Sequence, residues 1–131
     1  MAAVRDFGVI VVVEGPSAAG KSTWAARWPS TQIVAEHGSI VPPPDLSPDE
    51  TAQFWTAMNC SRWQRATEIE RSGWVAICDT DPLKLHYDYG LARMGAVSWA
   101  DFVGRARHCE RAISEQRLGI ADIILVEIPD D

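Results

Sequence analysis

The sequence predicts an α/β fold built on a parallel sheet flanked by helices. Short β-branched runs such as Val9 to Val13 are continuous rather than alternating, as strands covered on both faces require. Between these runs lie longer stretches with helix-capping signals, so that strand and helix patterns alternate along the chain. At 131 residues the chain suits one domain, which buries roughly two-thirds of its unfolded surface without needing disulfides.

The first strand is expected over Phe7 to Val13 (FGVIVVV). Glycines follow at Gly15 and Gly20, then a helical stretch from Lys21 to Trp28 that Pro29 stops. Thr31 to Glu36 (TQIVAE) is a short, β-leaning second strand. It leads into a loop centred on Pro42 to Pro44, where regular structure is barred. Ser47-Pro48-Asp49-Glu50 is a strong helix start, with Ser as N-cap, Pro at the first helical position and Glu at the third. That helix is expected to reach Arg71, with Gly73 just beyond its end. Val75 to Cys78 (VAIC) reads as a third buried strand ending at Asp79. A short helix is expected around Leu83 to Met94. Ser98-Trp99-Ala100-Asp101 opens another by the same capping logic, ending near Gly119, with Phe102, Val103, Ala106, Cys109 and Ile113 along its apolar face. Ile123 to Ile128 (IILVEI) is the fourth strand.

Composition excludes several classes. A net charge of −6 and a pI near 5.0 argue against a protein that coats nucleic acid, whose phosphate contacts need a basic face. A nucleotide needs only a local positive site. Cys60, Cys78 and Cys109 are odd in number and contain no Cys-x-x-Cys pair, which supports neither a disulfide framework nor structural zinc. His37, His86 and His108 are scattered, and His108 beside Cys109 reads as a helix-surface neighbour pair. The longest aliphatic run falls far short of the ~20 residues that span a bilayer. No signal-peptide pattern precedes the first strand. The expectation is a soluble, cytoplasmic chain with neither nucleic acid nor membrane as partner.

Gly15-Pro16-Ser17-Ala18-Ala19-Gly20-Lys21-Ser22-Thr23 matches the G-x-x-x-x-G-K-[ST] pattern without departure. It follows an apolar strand and opens a helix, which is the context the chemistry requires. Glycines let the backbone wrap around an anion with its N–H groups pointing inward, and the helix start favours the same negative charge. Lys21 would lie along the β- and γ-phosphates of ATP, and the Ser22 hydroxyl would ligate Mg²⁺. Only two of the 12 basic residues are lysines, Lys21 and Lys84, so a lysine inside this loop is no surface decoration.

With that motif in place, the chain resembles the P-loop nucleoside and nucleotide kinases, thymidylate kinases being the nearest likeness. Ile10 to Thr23 (IVVVEGPSAAGKST) is similar to their first strand and phosphate loop, including an acidic residue before the first glycine. The resemblance places Glu36, at the end of the second strand, facing a phosphoryl acceptor. It also makes Gly73 to Asp79 (GWVAICD) their third strand, with Asp79 near the metal and substrate. Arg62 and Gln64 resemble an Arg-x-Gln that contacts the nucleotide substrate, although the spacing to Asp79 is about one helical turn shorter here. Where the family continues Asp-Arg, this chain continues Asp79-Thr80-Asp81-Pro82, which speaks against thymidylate as acceptor.

These residues suit phosphoryl transfer on physical grounds as well, because that reaction needs charge neutralisation and in-line positioning. Asp79 would hold Mg²⁺ directly or through water at the carboxyl end of its strand, where ligands bind in open α/β sheets. Glu36 would accept or orient the proton of an acceptor hydroxyl. Arg65 is a further acceptor-site cation or a wet-face charge, Asp81 reads as a turn residue, and Trp55 and Trp63 read as core. His86 and Tyr87 follow the third strand, where acceptor contacts arise.

Such kinases carry an arginine-bearing lid and an adenine loop downstream of the strand that here runs to Ile128, and no arginine follows Arg117. The expected architecture is thus a P-loop NTPase-type sheet in a single nucleotide-binding domain over residues 1–131, a fragment lacking the lid and last strand. The function implied is an ATP- and Mg²⁺-dependent phosphotransferase acting on a nucleoside, nucleotide or similar small hydroxyl compound. An antibiotic or sugar kinase on the same fold, or a non-catalytic ATP-binding module, are the alternatives.

Overall fold

The computed structural model describes residues 8–16, 20–36 and 40–128. It is an α/β fold with an all-parallel four-stranded sheet, as the continuous apolar runs predict. The strands are β1 (Val9–Glu14), β2 (Ile33–Val34), β3 (Val75–Asp79) and β4 (Ile123–Val126), arranged in the order β2-β3-β1-β4. Among the described residues four α-helices accompany them: α1 (Lys21–Ala25), α2 (Pro48–Arg71), α3 (Leu85–Arg93) and α4 (Trp99–Ser114). No helix among the described residues is long and apolar enough to cross a membrane.

The chain divides into two compact units. The first comprises residues 1–36, 64–81 and 121–131, and holds the sheet, α1 and the C-terminal part of α2. Its core is made by the two central strands, where Val12, Val13, Ala76, Ile77 and Cys78 are fully buried. Ala25 of α1 is buried against Val11, Val13 and Ile77, with Trp24 and Trp28 packed at the margin. Their rings lie 6.2 Å apart in a tilted pair. β1 pairs with β3 from Val9 opposite Val75 to Val13 opposite Asp79, and with β4 from Val11 opposite Ile123 to Glu14 opposite Val126. Asp122 fixes the start of β4 through two bonds to Ile10: its side chain accepts from Ile10 N–H at 2.9 Å, and its own N–H donates to the Ile10 carbonyl at 3.0 Å.

The second unit comprises residues 37–63 and 82–120. Cys109, Ala112 and Leu118 form its buried cluster, with Cys60, Trp63 and Leu83 packed against them. Trp63 is therefore a packing residue, and its ring occupies the space that a Cβ on Gly119 would need. Trp55 makes an edge contact with Phe54 at 5.3 Å. Tyr89 joins α3 to α4 through two edge-to-face contacts at 5.8 Å, with Trp99 and Phe102, which themselves meet edge to face at 5.9 Å within α4. Arg105 and Asp88 add an ion pair at 2.7 Å, partly shielded from water. His108, expected to be a mere surface neighbour of Cys109, bonds through Nε2 to Asp49 at 2.7 Å. Burial pushes both thiols of this unit up, and the Arg117 guanidinium opposes that rise at Cys60. Neutral thiols of this kind are poor nucleophiles.

Several boundaries differ from the sequence expectation, each for a local reason. α1 stops at Ala25 rather than Trp28, because Arg27 and Trp28 already donate to carbonyls three residues back ahead of Pro29. β2 contracts to two residues because Ser30–Gln32 forms a 3₁₀ turn. α4 ends at Ser114, well before Gly119, with Gln116 taking the left-handed φ of 60° past its end. Its buried face is shifted as well: Cys109 and Ala112 point inward, whereas Val103 and Ile113 are exposed. β4 ends at Val126, and its four apolar side chains are exposed, unlike those of a strand covered on both faces. Phe7, assigned to the first strand, lies outside the described residues. The two serine caps are as expected, since Ser47 Oγ accepts from Glu50 N–H at 3.1 Å and Ser98 Oγ from Asp101 N–H at 3.0 Å.

Ser98→Ala is expected to lower the unfolding free energy by about 1 kcal/mol in urea denaturation, and Ser98→Asp to leave it nearly unchanged. Glu70 supplies a pH-dependent counterpart. Burial, and then the Asp122 carboxylate, push its carboxyl up, with Arg71 pulling the other way. A carboxyl that holds its proton more tightly when folded favours folding at low pH, and that contribution is lost as pH rises through the folded pKa. Glu70→Gln is therefore expected to stabilise the chain at pH 7, by less than about 1 kcal/mol. The gain should vanish near pH 4 in the same measurement.

Candidate functional site

The site lies in the first unit, where β1 and β3 end side by side and the chain turns into α1. The residues leaving a parallel strand at its carboxyl end face the crevice in which open α/β sheets hold ligands. The strand order also switches sides here, because β3 and β2 lie on one side of β1 and β4 lies on the other.

Gly15 leaves β1 with φ +146°, a backbone region that side chains rarely adopt. A Cβ at this position would also collide with the Glu127 carbonyl oxygen, so two independent constraints require glycine. Gly20 re-enters regular structure in the left-handed region as the N-cap of α1. Ser17, Ala18 and Ala19, the middle of the loop, lie outside the described residues. Lys21, the first residue of α1, folds its side chain back over the loop. Its ammonium donates to the Gly15 carbonyl at 2.5 Å and to the Pro16 carbonyl at 3.1 Å. Ser22 Oγ donates to Asp79 Oδ2 at 2.7 Å, linking the start of α1 to the end of β3. The sequence motif and the strand-end aspartate, 57 residues apart, are thus one constellation.

The other expected residues fall into two groups. Glu36 lies two residues past β2, whose Val34 pairs with Cys78, so it shares the carboxyl edge of the sheet with Asp79 and is exposed. Thr23 is exposed in the first turn of α1. Arg62 and Gln64 part company: Arg62 is 3% exposed and belongs to the second unit, whereas Gln64 is exposed and belongs to the first. Residues two apart on a helix do not share a face, so the Arg-x-Gln spacing does not make a joint contact surface. Arg65 donates to the Thr31 carbonyl at 3.2 Å and pairs with Glu68 at 3.5 Å, with both partners about half exposed. His86 and Tyr87 are exposed, and the Lys84 ammonium sits 6.0 Å from the Tyr87 ring centre.

Three residues at this edge escaped the sequence reading as functional candidates. Glu14 accepts from the Asp81 N–H through Oε1 at 2.5 Å. Thr80 and Asp81, immediately after Asp79, are buried at 5% and 6% exposure. Thr80 has φ 67°, and the left-handed region costs a β-branched residue of the order of 1–2 kcal/mol. The signal for Glu14 was present in the sequence as a carboxylate ending a run of buried valines. Nothing in the sequence marks Thr80 for a positive φ.

The donor set suits a phosphate-bearing ligand with a hard cation. A primary ammonium bonded to backbone carbonyls exchanges readily onto anionic oxygens. A hydroxyl paired with a carboxylate matches Mg²⁺, which takes few protein ligands and fills its octahedron with water and phosphate oxygens. Among the described residues no group of three or more His, Cys, Asp or Glu gathers to hold a metal by protein ligands alone. No family model, characterised protein or solved structure matches this chain. Gly15→Ala is expected to lower stability by about 1–3 kcal/mol, measured by thermal or urea unfolding, because the new side chain meets both a forbidden φ and a backbone oxygen.

Proposed function

We propose that the chain is a P-loop nucleotide-binding protein of the phosphotransferase type, using Mg·ATP and a small hydroxyl-bearing acceptor. The observation that carries this reading is the pairing of Lys21 and Ser22. The ammonium caps the carbonyls of the loop, while the neighbouring hydroxyl reaches Asp79 on the adjacent strand. Consecutive side chains thereby offer a cation for the β- and γ-phosphates and an oxygen pair for the metal, as phosphoryl transfer on such a loop needs.

In this reading Lys21 leaves Gly15 and Pro16 and neutralises phosphate charge, which counts most as charge migrates in the transition state. Ser22 and Asp79 would hold the metal, Asp79 directly or through water. Bound Mg²⁺ would supply charge neutralisation across the transferred group. Glu36, on the same sheet edge, accepts the proton of the acceptor hydroxyl. Thr80 stands where the kinase family has arginine, which favours an acceptor other than thymidylate.

Lys21→Ala is expected to weaken Mg·ATP binding by roughly ten- to a hundredfold in calorimetric titration, the size of one or two charge-assisted contacts. Folded wild-type protein that fails to bind Mg·ATP would overturn the reading. Phosphate transfer is then assayed over nucleosides, nucleoside monophosphates, sugars and hydroxylated antibiotics. Binding without transfer to any of them would identify a nucleotide-binding module rather than an enzyme.

A further inference from the structure

We infer that Glu14 is a positioning residue for the Ser22–Asp79 pair, a latch on the turn after β3 whose role rests on the nucleotide-site reading above. β1 and β3 stay in register up to Val13 opposite Asp79. The Thr80 N–H adds one further bond, to the Val13 carbonyl at 3.0 Å. The ladder stops there because Thr80 turns the chain with φ 67°. The next donor, Asp81 N–H, is taken by the side chain of Glu14. On the opposite flank, the backbone carbonyl of Glu14 accepts from Glu127 N–H at 2.7 Å. One residue therefore ties the carboxyl ends of both neighbours to the central strand, immediately before Gly15 opens the loop.

The consequence for Asp79 follows from chain connectivity. Asp79 is itself the last paired residue of the ladder and is followed directly by the strained Thr80, so its carboxylate direction depends on the turn being held. Left-handed backbone at a β-branched residue persists only where its surroundings enforce it. The Glu14–Asp81 bond supplies such a restraint on one side of Thr80, and the Thr80–Val13 bond supplies it on the other. With the latch open, Thr80 relaxes toward negative φ and Asp79 swings away from Ser22 Oγ. The latch depends on reach and on an acceptor oxygen. A glutamine preserves both, whereas an aspartate keeps the charge but falls one methylene short.

The test compares nucleotide affinity in Mg²⁺ with affinity in EDTA, since the ratio reports on the Ser22–Asp79 pair and the EDTA value on Lys21. Glu14→Ala and Glu14→Asp are expected to cut the ratio by roughly tenfold, the order of one charge-assisted hydrogen bond. Affinity in EDTA should stay unchanged, and Glu14→Gln should behave as wild type. Exchange of the Asp81 amide in nucleotide-free protein, followed by NMR, should accelerate in Glu14→Asp and not in Glu14→Gln. Thr80→Gly, which adopts positive φ without strain, should restore the ratio in the Glu14→Asp background. If Glu14→Ala does not fold, the Asp and Gln variants decide between reach and charge. A wild-type ratio in Glu14→Asp overturns the latch, and so does an equal loss in Glu14→Gln. Wild-type protein without nucleotide affinity overturns the site reading and this role together. Wild-type affinity with a ratio indifferent to Glu14 overturns the latch alone.

Discussion

Everything at the site depends on the carboxyl end of β1 being held at a fixed height between its neighbours. β1 has a partner on each side, and its apolar run is almost wholly buried, from Ile10 to Val13. Such a strand has little freedom to slip, because a shift of one residue would exchange every side chain between the two faces of the sheet. Glu14 ends that run with its backbone bonded to one flank and its side chain to the other. Gly15 must therefore leave the sheet at one place, against the Glu127 carbonyl, and only glycine fits there. The start of the loop inherits its position from this anchoring, and the Lys21 bonds to the Gly15 and Pro16 carbonyls add to it.

The electrostatics follow the same geometry. The chain is acidic overall, yet its first unit places an ammonium over two carbonyls at the mouth of the loop. Carbonyl oxygens are adequate but weak partners for a full positive charge, and an anion carrying several oxygens outcompetes them. The Ser22 hydroxyl, one residue on, is engaged by a carboxylate instead. Neighbouring residues thus favour opposite charges in the space before them. That division suits a ligand whose phosphates arrive with a metal ion, and it does not suit a simple monoanion.

Local chemistry made much of this readable in advance. The β-branched runs gave the parallel strands, the Ser47 and Ser98 caps fixed two helix starts, and the glycine spacing marked the loop. These signals act over one or two turns of chain, and the residues that carry them are neighbours in sequence. Errors arose where a distant partner decides the outcome. The apolar face of α4 was misplaced because Cys60, Trp63 and Leu83, remote in sequence, select Cys109 and Ala112. β2 was overestimated because propensity does not foresee that Ser30–Gln32 will close into a 3₁₀ turn. The Thr80 backbone was unreadable for the same reason: its φ is imposed by bonds to Val13 and Glu14, which belong to another strand.

The same distinction explains why the phosphate side of the proposed site is better defined than its acceptor side. In the proposed reading, phosphate recognition is built from one contiguous loop and one strand-end residue, so a short motif specifies nearly all of it. Acceptor recognition depends on which helix faces turn inward, and a motif of alternate residues is poorly suited to a helix. Arg62 and Gln64 illustrate the point, since a two-residue step rotates the helix by more than half a turn and sends one inward and the other to water. A buried arginine is costly to desolvate and is retained where its guanidinium is matched by partners, and Arg62 is 3% exposed. Its burial is thus explained by structure as readily as by substrate. Glu36 differs, because it sits exposed on the sheet edge that Asp79 shares, the edge to which the proposed reading assigns the reaction. Of the acceptor-side residues, Glu36 is therefore the one whose position argues for chemistry.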